Sequence, residues 1–93
     1  MEKLVKNAVN TAEKNPPKGF QSWREYWESA TGEHAGCCGA EGCYSMDQIE
    51  GAHVLNMDNP FDNDLYIVPL CKACNHRQDI FRVNLDLVLV PEE

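Results

Sequence analysis

Four of the five cysteines form two closely spaced pairs, Cys38-x4-Cys43 and Cys71-x2-Cys74, with 27 residues between the pairs. A structural zinc ion takes four ligands in a tetrahedron, and two short pairs allow each local turn to present two thiolates to one ion. The pattern therefore predicts one structural Zn2+ held by Cys38, Cys43, Cys71 and Cys74. Because four sulfur ligands leave no open coordination position, such an ion would stabilise the fold rather than activate water.

Cys37 offers an alternative first ligand, because Cys37-x5-Cys43 is also a short spacing. A ligand at Cys37 would require a wider turn than one at Cys38. Cys38 is therefore the preferred ligand, and Cys37 is expected to be a free thiol. His53 and His76 are possible nitrogen ligands, but four suitably spaced cysteines make neither necessary. Gly36, Gly39 and Gly42 lie around the first pair, as a tight turn that directs several sulfurs at one ion requires.

The N-terminal sequence MEKLVKNAVNTAEKN contains no apolar run of signal-peptide length, and nowhere do eighteen consecutive apolar residues occur. These features predict a cytoplasmic protein with no membrane segment. Reducing conditions in that compartment keep thiols out of disulfides, and the odd number of cysteines would leave one unpaired in any disulfide scheme. Zinc binding is therefore preferred over disulfide formation.

Negative charge is concentrated in the C-terminal two thirds of the chain. The formal net charge is −7, and from Cys37 onward ten acidic residues stand against three basic ones, Lys72, Arg77 and Arg82. Proteins that bind nucleic acids normally present a basic face that displaces counterions from phosphate. The composition thus disfavours nucleic-acid binding and favours a protein partner with a basic surface.

Two helices are predicted before the cysteines. Apolar residues recur at helical spacing between residues 2 and 14, and Asn15-Pro16-Pro17 would end that helix. In the second, Ser22 and Glu25 have the spacing of a capping box, aromatic residues follow at helical spacing, and Gly32 is a plausible end. Its aromatic stripe is expected to pack on the rest of the domain.

Strands are predicted after the first cysteine pair. The segment from Ile49 to Leu55 has strand character, and so does Tyr66 to Leu70, which Pro69 should prevent from continuing as a central strand. From Phe81 onward, apolar and polar residues alternate up to Pro91, and this alternation predicts one amphipathic final strand over residues 81–90.

The order of these elements resembles the zinc-containing HNH endonucleases. The resemblance lies in a cysteine turn, a hairpin carrying Gly51-Ala52-His53-Val54, the apolar lead-in Ile67-Val68-Pro69-Leu70, and Cys71-x2-Cys74 opening a short helix. It implies a ββα-metal unit, which is a form of treble-clef zinc finger, over about residues 36–80. The two N-terminal helices lie outside it.

The resemblance also implies that His53 is the general base that activates water, beside a divalent ion such as Mg2+. Asn75 is the candidate to donate a carbonyl oxygen to that ion, with Glu50 or Asp47 as a carboxylate ligand. Three positions depart from the family's pattern: Ala52 replaces a metal-binding aspartate, Tyr66 the central asparagine, and Asn75 the last histidine, with His76 shifted by one residue.

The combined prediction is a small α+β protein forming a single domain over residues 1–93. It comprises two N-terminal helices within residues 1–32, a zinc-binding HNH-like unit over residues 36–80 and a C-terminal strand over residues 81–90. The departures predict a catalytically degenerate unit that acts as an acidic protein-interaction module, with His53 in a structural role. The alternative is a metal-dependent endonuclease that cleaves DNA with His53 as base.

Overall fold

The structure, a computed structural model, describes residues 3–9, 14–59 and 61–92. It is a small α+β fold in which the longer of two helices packs against one antiparallel sheet. In chain order the elements are β1 (Leu4–Asn7), α1 (Trp23–Thr31), β2 (Ile49–Asn56), β3 (Leu65–Cys71), α2 (Lys72–Asn75), β4 (Ile80–Arg82) and β5 (Val90–Pro91).

The sheet is built around the hairpin of β2 and β3, and its strand order is β4-β1-β2-β3-β5. In the hairpin Ile49 pairs with Cys71, and the register continues without a break to Leu55 and Leu65. Since the apolar side chains of β1, β2 and β3 are largely buried, these central strands supply most of the core. Its largest fully buried side chains are Val5, Val54, Ile67, Val68, Leu70 and Val83.

Helix α1 forms where its sequence signals predict. The Ser22 hydroxyl accepts a hydrogen bond from the Glu25 backbone N–H at 3.1 Å, which satisfies one of the free amides of the first turn. Gly32 ends the helix with a φ of 74°, in the left-handed region that favours glycine. The predicted packing of the aromatic stripe is confirmed, because Trp27 is 3% exposed and lies in the core.

The predicted helix over residues 2–14 is wrong for its described part, where residues 4–7 form strand β1. Val5 is fully buried and pairs with Asn56 of β2 on one side and Phe81 of β4 on the other. This non-local pairing outweighs a weak local preference for helix. Residues 1–32 therefore contain one described helix instead of two, and residues 10–13 lie outside the described part of the chain.

The prediction that Pro69 prevents a central strand from continuing is also wrong. Strand β3 runs through Pro69, which pairs with Gly51 of β2. The Pro69 carbonyl accepts a hydrogen bond from Gly39 N–H, outside the hairpin. Because the amide and carbonyl of one strand residue point the same way, the missing proline N–H also faces away from β2 and interrupts no hydrogen bond of the hairpin.

Residues 81–90 form parts of two strands, β4 and β5, rather than the predicted single strand. These strands lie at opposite edges of the sheet, and a turn in which Leu87 N–H bonds to the Asn84 carbonyl separates them. The alternation predicted the burial of Phe81 and Val83 but not the 61% exposure of Leu85.

Within the described residues, no helix has both the length and the apolar character needed to cross a membrane.

Candidate metal centre

The structure brings together the four cysteines that the spacing singled out. The Sγ atoms of Cys38, Cys43, Cys71 and Cys74 all lie within 4.8 Å of one another. Three of these side chains are buried and Cys43 is half-buried, whereas Cys37 is exposed and outside the cluster. The geometry therefore selects Cys38 over Cys37 as a member of the four-sulfur group.

Two backbone segments position the sulfur atoms. In the first, Cys43 N–H bonds to the Ala40 carbonyl at 3.1 Å, and Gly42 supplies the positive φ of 84° that this turn needs. In the second, Cys71 ends β3 and is the N-cap of α2, which carries Cys74. The 2.7 Å hydrogen bond from Gly39 to Pro69 holds the first segment beside the second.

Strand β1 supports the second segment from the far side. The Asn7 side-chain amide donates to the carbonyl oxygens of Cys74 and Arg77, both at 2.9 Å. Both carbonyls lie at or just after the C-terminal end of α2, and the Cys74 carbonyl also accepts a hydrogen bond from the Arg77 backbone N–H at 3.2 Å. Asn7 thus fixes the end of the short helix that carries Cys74, a role that sequence spacing did not predict because 67 residues separate the two.

The dimensions of the cluster fit a tetrahedral metal ion. Metal–sulfur bonds of about 2.3 Å in a tetrahedron require sulfur–sulfur distances of about 3.8 Å. The Sγ atoms of Cys43 and Cys71 are 3.9 Å apart, and the other distances stay within 4.8 Å. Four thiols at these distances fill all four positions of the tetrahedron and leave none for substrate.

The ionisation of the thiols is uneven. Burial opposes ionisation of Cys71, but hydrogen bonds from the Cys74 backbone N–H and from the neighbouring thiols outweigh it and lower the pKa of Cys71 to about 7. Burial and the adjacent sulfurs raise the pKa of Cys74. Burial also raises the pKa of Cys38. The thiolate form is thus favoured at Cys71, whereas ionisation of Cys74 and Cys38 is opposed. A divalent cation bound among the sulfurs would offset the negative charge and favour ionisation of all of them.

His53 lies outside the sulfur group, on β2, and is 6% exposed. The indole ring of Trp23 packs against its imidazole edge to face, with ring centroids 4.5 Å apart. His53 Nε2 is 3.4 Å from Glu92 Oε2, at ion-pair distance but without hydrogen-bond geometry. Burial lowers the pKa of His53, while Glu92 opposes and Lys14 reinforces that shift, so a neutral imidazole is favoured.

A second group of predicted residues meets in one cleft of about 270 Å³. His53 and Asn75 both line it, together with Lys14, Trp23, Glu50, Gly51, Ala52 and His76. The Asn75 side-chain amide donates to Glu50 Oε1 at 3.0 Å. Asp47 does not line this cleft, and the Tyr66 hydroxyl is hydrogen bonded to Asp62 instead. The structure therefore joins His53, Asn75 and Glu50, but not Asp47 or Tyr66.

Sequence reasoning missed the residues that cover His53. Trp23 comes from the first turn of α1, and Glu92 follows β5, so both are distant from His53 in the chain. No local spacing connects them, because the contacts depend on how the helix and the last strand meet the sheet. The one available signal was the placement of His53 among apolar residues of a predicted strand, which favours burial.

The fold and the sulfur cluster define a small α+β protein with four cysteines placed to hold a metal ion. The chain matches no protein-family model, and searches of the curated proteins and of the solved structures found no match.

Acid is expected to destabilise the metal-loaded protein through His53. An unfolded histidine titrates near 6.5, and the pKa of folded His53 is lower because burial penalises its charged form. The unfolded state therefore binds the proton first, so stability falls as the pH drops below about 6.5 and the loss is complete below the folded pKa. Urea unfolding between about pH 7.5 and 5.5 at saturating metal measures this dependence.

The variant His53→Gln should show a shallower loss of stability over that range. His76→Gln, which removes an exposed histidine, is the matched control and should follow the wild-type curve. If His53→Gln and wild type lose stability in parallel, the burial of His53 does not contribute to the acid sensitivity.

Proposed function

We propose that this protein is a zinc-stabilised, acidic domain that binds a partner protein with a basic surface. The observation that carries the zinc assignment is the closed group of four thiols within 4.8 Å of one another. Thiolate ligands in a tetrahedron select zinc over the hard cations, which prefer oxygen ligands. Free thiols of this kind persist in a reducing compartment such as the cytoplasm, where we place the protein.

The ββα unit of β2, β3 and α2 is proposed to be an HNH-like treble clef without catalytic function. Support comes from the order of hairpin and short helix, with Cys71 as the N-cap of the helix and Cys74 within it. Ala52 brings no metal ligand, and His53 is covered by Trp23 and faces Glu92. A general base needs access to the water it activates, which this enclosed position does not favour.

The distribution of exposed charge supports the assignment of a basic partner. Acidic side chains are exposed on the cysteine turn, along the hairpin and its loop, and near both edges of the sheet. These exposed acidic residues are Glu41, Asp47, Glu50, Asp58, Asp64, Asp79 and Asp86. Among the described residues after Cys37, the bases are Lys72, Arg77 and Arg82, and Arg77 is paired with Asp79 at 2.6 Å. A surface of this sign attracts and orients basic partners.

Binding of a short lysine–glycine repeat peptide tests the proposal. The zinc-loaded protein is expected to bind it at low ionic strength, with an affinity that falls as salt screens the charges. A glutamate–glycine repeat peptide of equal length is the control and should not bind. Fluorescence anisotropy of labelled peptides at increasing salt measures both, and equal affinities for the two peptides would contradict the proposal.

A metal-dependent endonuclease is the second candidate function, and one observation favours it. His53, Asn75 and Glu50 line the same cleft, and the Asn75–Glu50 hydrogen bond places an amide and a carboxylate together. Mg2+ prefers oxygen ligands of this kind, and His53 would act as the base. Plasmid nicking with Mg2+ or Mn2+ that disappears in His53→Ala would overturn the assignment of a non-catalytic domain.

A further inference from the structure

A second cleft, of about 490 Å³, lies between the segment before α1, the helix itself and the residue after β5. It is lined by Lys14, Asn15, Pro17, Trp23, Tyr26 and Glu92, and we refer to it as the aromatic cleft. None of these residues belongs to the group of four cysteines. The cleft combines two aromatic side chains, a carboxylate and a lysine.

Two aromatic rings form a corner of the aromatic cleft. The ring planes of Trp23 and Tyr26 are nearly perpendicular, at 87°, with centroids 5.7 Å apart. Trp23 Nε1 donates to the Lys14 carbonyl at 3.1 Å, and the Tyr26 hydroxyl donates to the Pro91 carbonyl at 2.9 Å. Because the polar hydrogens are engaged with backbone, the rings are held in place and offer the cleft aromatic surface, which attracts cations.

Glu92 provides a fixed carboxylate beside this corner. Its backbone N–H bonds to the Leu65 carbonyl at 3.0 Å, and its side chain is 18% exposed. Oε1 is 3.0 Å from Lys14 Nζ, whereas Oε2 is buried and has no hydrogen-bond donor among the described residues. The nearest imidazole, that of His53, is favoured in its neutral form. Oε2 is enclosed beside His53, so Oε1 is the carboxylate oxygen that an incoming cation meets.

The ammonium of Lys14 shows which kind of group this cleft holds. Lys14 lines the cleft, its side chain is 40% exposed, and its ammonium is paired with Glu92 Oε1 at 3.0 Å. A half-exposed ion pair of this kind contributes little to stability and is exchanged at low cost. An ammonium from another molecule would meet the same carboxylate and, in addition, the two aromatic side chains that line the cleft, Trp23 and Tyr26.

We propose that the aromatic cleft binds a lysine side chain of the basic partner, with the Lys14 ammonium as an intramolecular competitor for the Glu92 carboxylate. The inference rests on the proposed function and specifies where the partner is recognised. Aromatic corners with a carboxylate bind cations because the negative ring faces and the anion act on the same charge. The net charge of −7 brings a basic partner toward the cleft before contact is made.

Two variants of the zinc-loaded protein test the cleft with the lysine–glycine peptide. Glu92→Gln is expected to weaken binding about tenfold, since it removes a charge-assisted hydrogen bond. Lys14→Met is expected to strengthen binding about threefold or more, because the competitor is lost. A gain of affinity beyond that of a matched loss of charge elsewhere points to the cleft, so this second variant keeps the test valid if Glu92→Gln is poorly folded.

Matched controls correct for the change in net charge. Glu41→Gln removes an exposed carboxylate from the cysteine turn, and Lys18→Met removes an exposed ammonium outside the cleft lining.

In proton–nitrogen correlation spectra the indole signal of Trp23 should move during the titration. The indole of Trp27, which donates to the Val88 carbonyl at 2.9 Å and does not line the cleft, should not.

The outcomes separate this inference from the proposed function. If the peptide binds but the cleft variants match their controls and the Trp23 signal stays fixed, the cleft is not the site although the acidic domain still binds a basic partner. If neither wild type nor Lys14→Met binds the peptide at low salt, both proposals are overturned. A peptide with norleucine in place of lysine should not bind, and an arginine peptide that binds more tightly would overturn the choice of lysine.

Discussion

Replacement of Cys71 by serine is expected to leave the chain unfolded at 25 °C in the presence of zinc. Cys71 ends β3, begins α2 and contributes one of the four clustered sulfurs. Structural zinc sites contribute about 10 to 16 kcal/mol to folding, which is comparable with the whole stability of about 5 to 15 kcal/mol of a typical domain. Loss of one thiolate therefore removes a large fraction of the free energy that favours the folded chain.

Circular dichroism and the dispersion of amide proton signals measure this loss of structure, and metal analysis of the purified wild type should give about one zinc per chain. Cys37→Ser is the matched control, because it makes the same substitution one residue before the cluster, at an exposed side chain. This control should keep both the metal and the fold. A Cys71→Ser protein with native spectra, or a wild type that stays folded after chelation, would contradict a stabilising metal centre.

Gly51→Ala is expected to destabilise the zinc-loaded protein by about 2 to 3 kcal/mol. A Cβ at Gly51 would lie 2.4 Å from both the Arg24 amide nitrogen and the Trp23 carbonyl carbon, which are backbone atoms of the first turn of α1. Neither partner is a flexible side-chain end, so the helix or β2 must shift. Such a shift would also disturb Trp23, which packs on His53, and the measurement is the midpoint and slope of urea unfolding.

Gly36→Ala provides the comparison for this substitution. A Cβ at Gly36 would meet only the exposed His34 ring, at 3.0 Å, and that side chain can rotate away. Its effect should stay within about 0.5 kcal/mol, as for most surface changes. Equal unfolding midpoints for the two alanine variants would show that the helix and β2 are not in tight contact.

Local signals in the sequence predicted the elements whose stability depends on near neighbours. The cap at Ser22 and the end at Gly32 define α1, and the two cysteine spacings define the sulfur group. The hairpin follows from two strands of suitable composition joined by one loop. In each of these the relevant partners are close in the chain or are fixed by ligand chemistry, so the residues themselves carry the information.

The remaining parts of the fold depend on partners far along the chain. Leu4–Asn7 is a strand because β2 and β4 lie on either side of it, and a helical pattern of apolar residues gives no sign of those neighbours. Pro69 is tolerated because its missing N–H faces away from β2, on the side where its carbonyl accepts a hydrogen bond from Gly39. The placement of His53 in an apolar strand favours its burial, but the residues that cover it, Trp23 and Glu92, could not be inferred from that position.

The position of β1 between β4 and β2 has a consequence for the order in which the protein folds. The hairpin and both cysteine pairs are complete once the chain reaches α2, so the metal can bind at that stage. Strand β1 is made first but is flanked on one side by β4, and Val83 N–H bonds to the Lys3 carbonyl across this junction. Strand β1 can pair with β2 at that stage, but its other edge stays unpaired until β4 has been made, so the sheet is completed after the sulfur cluster.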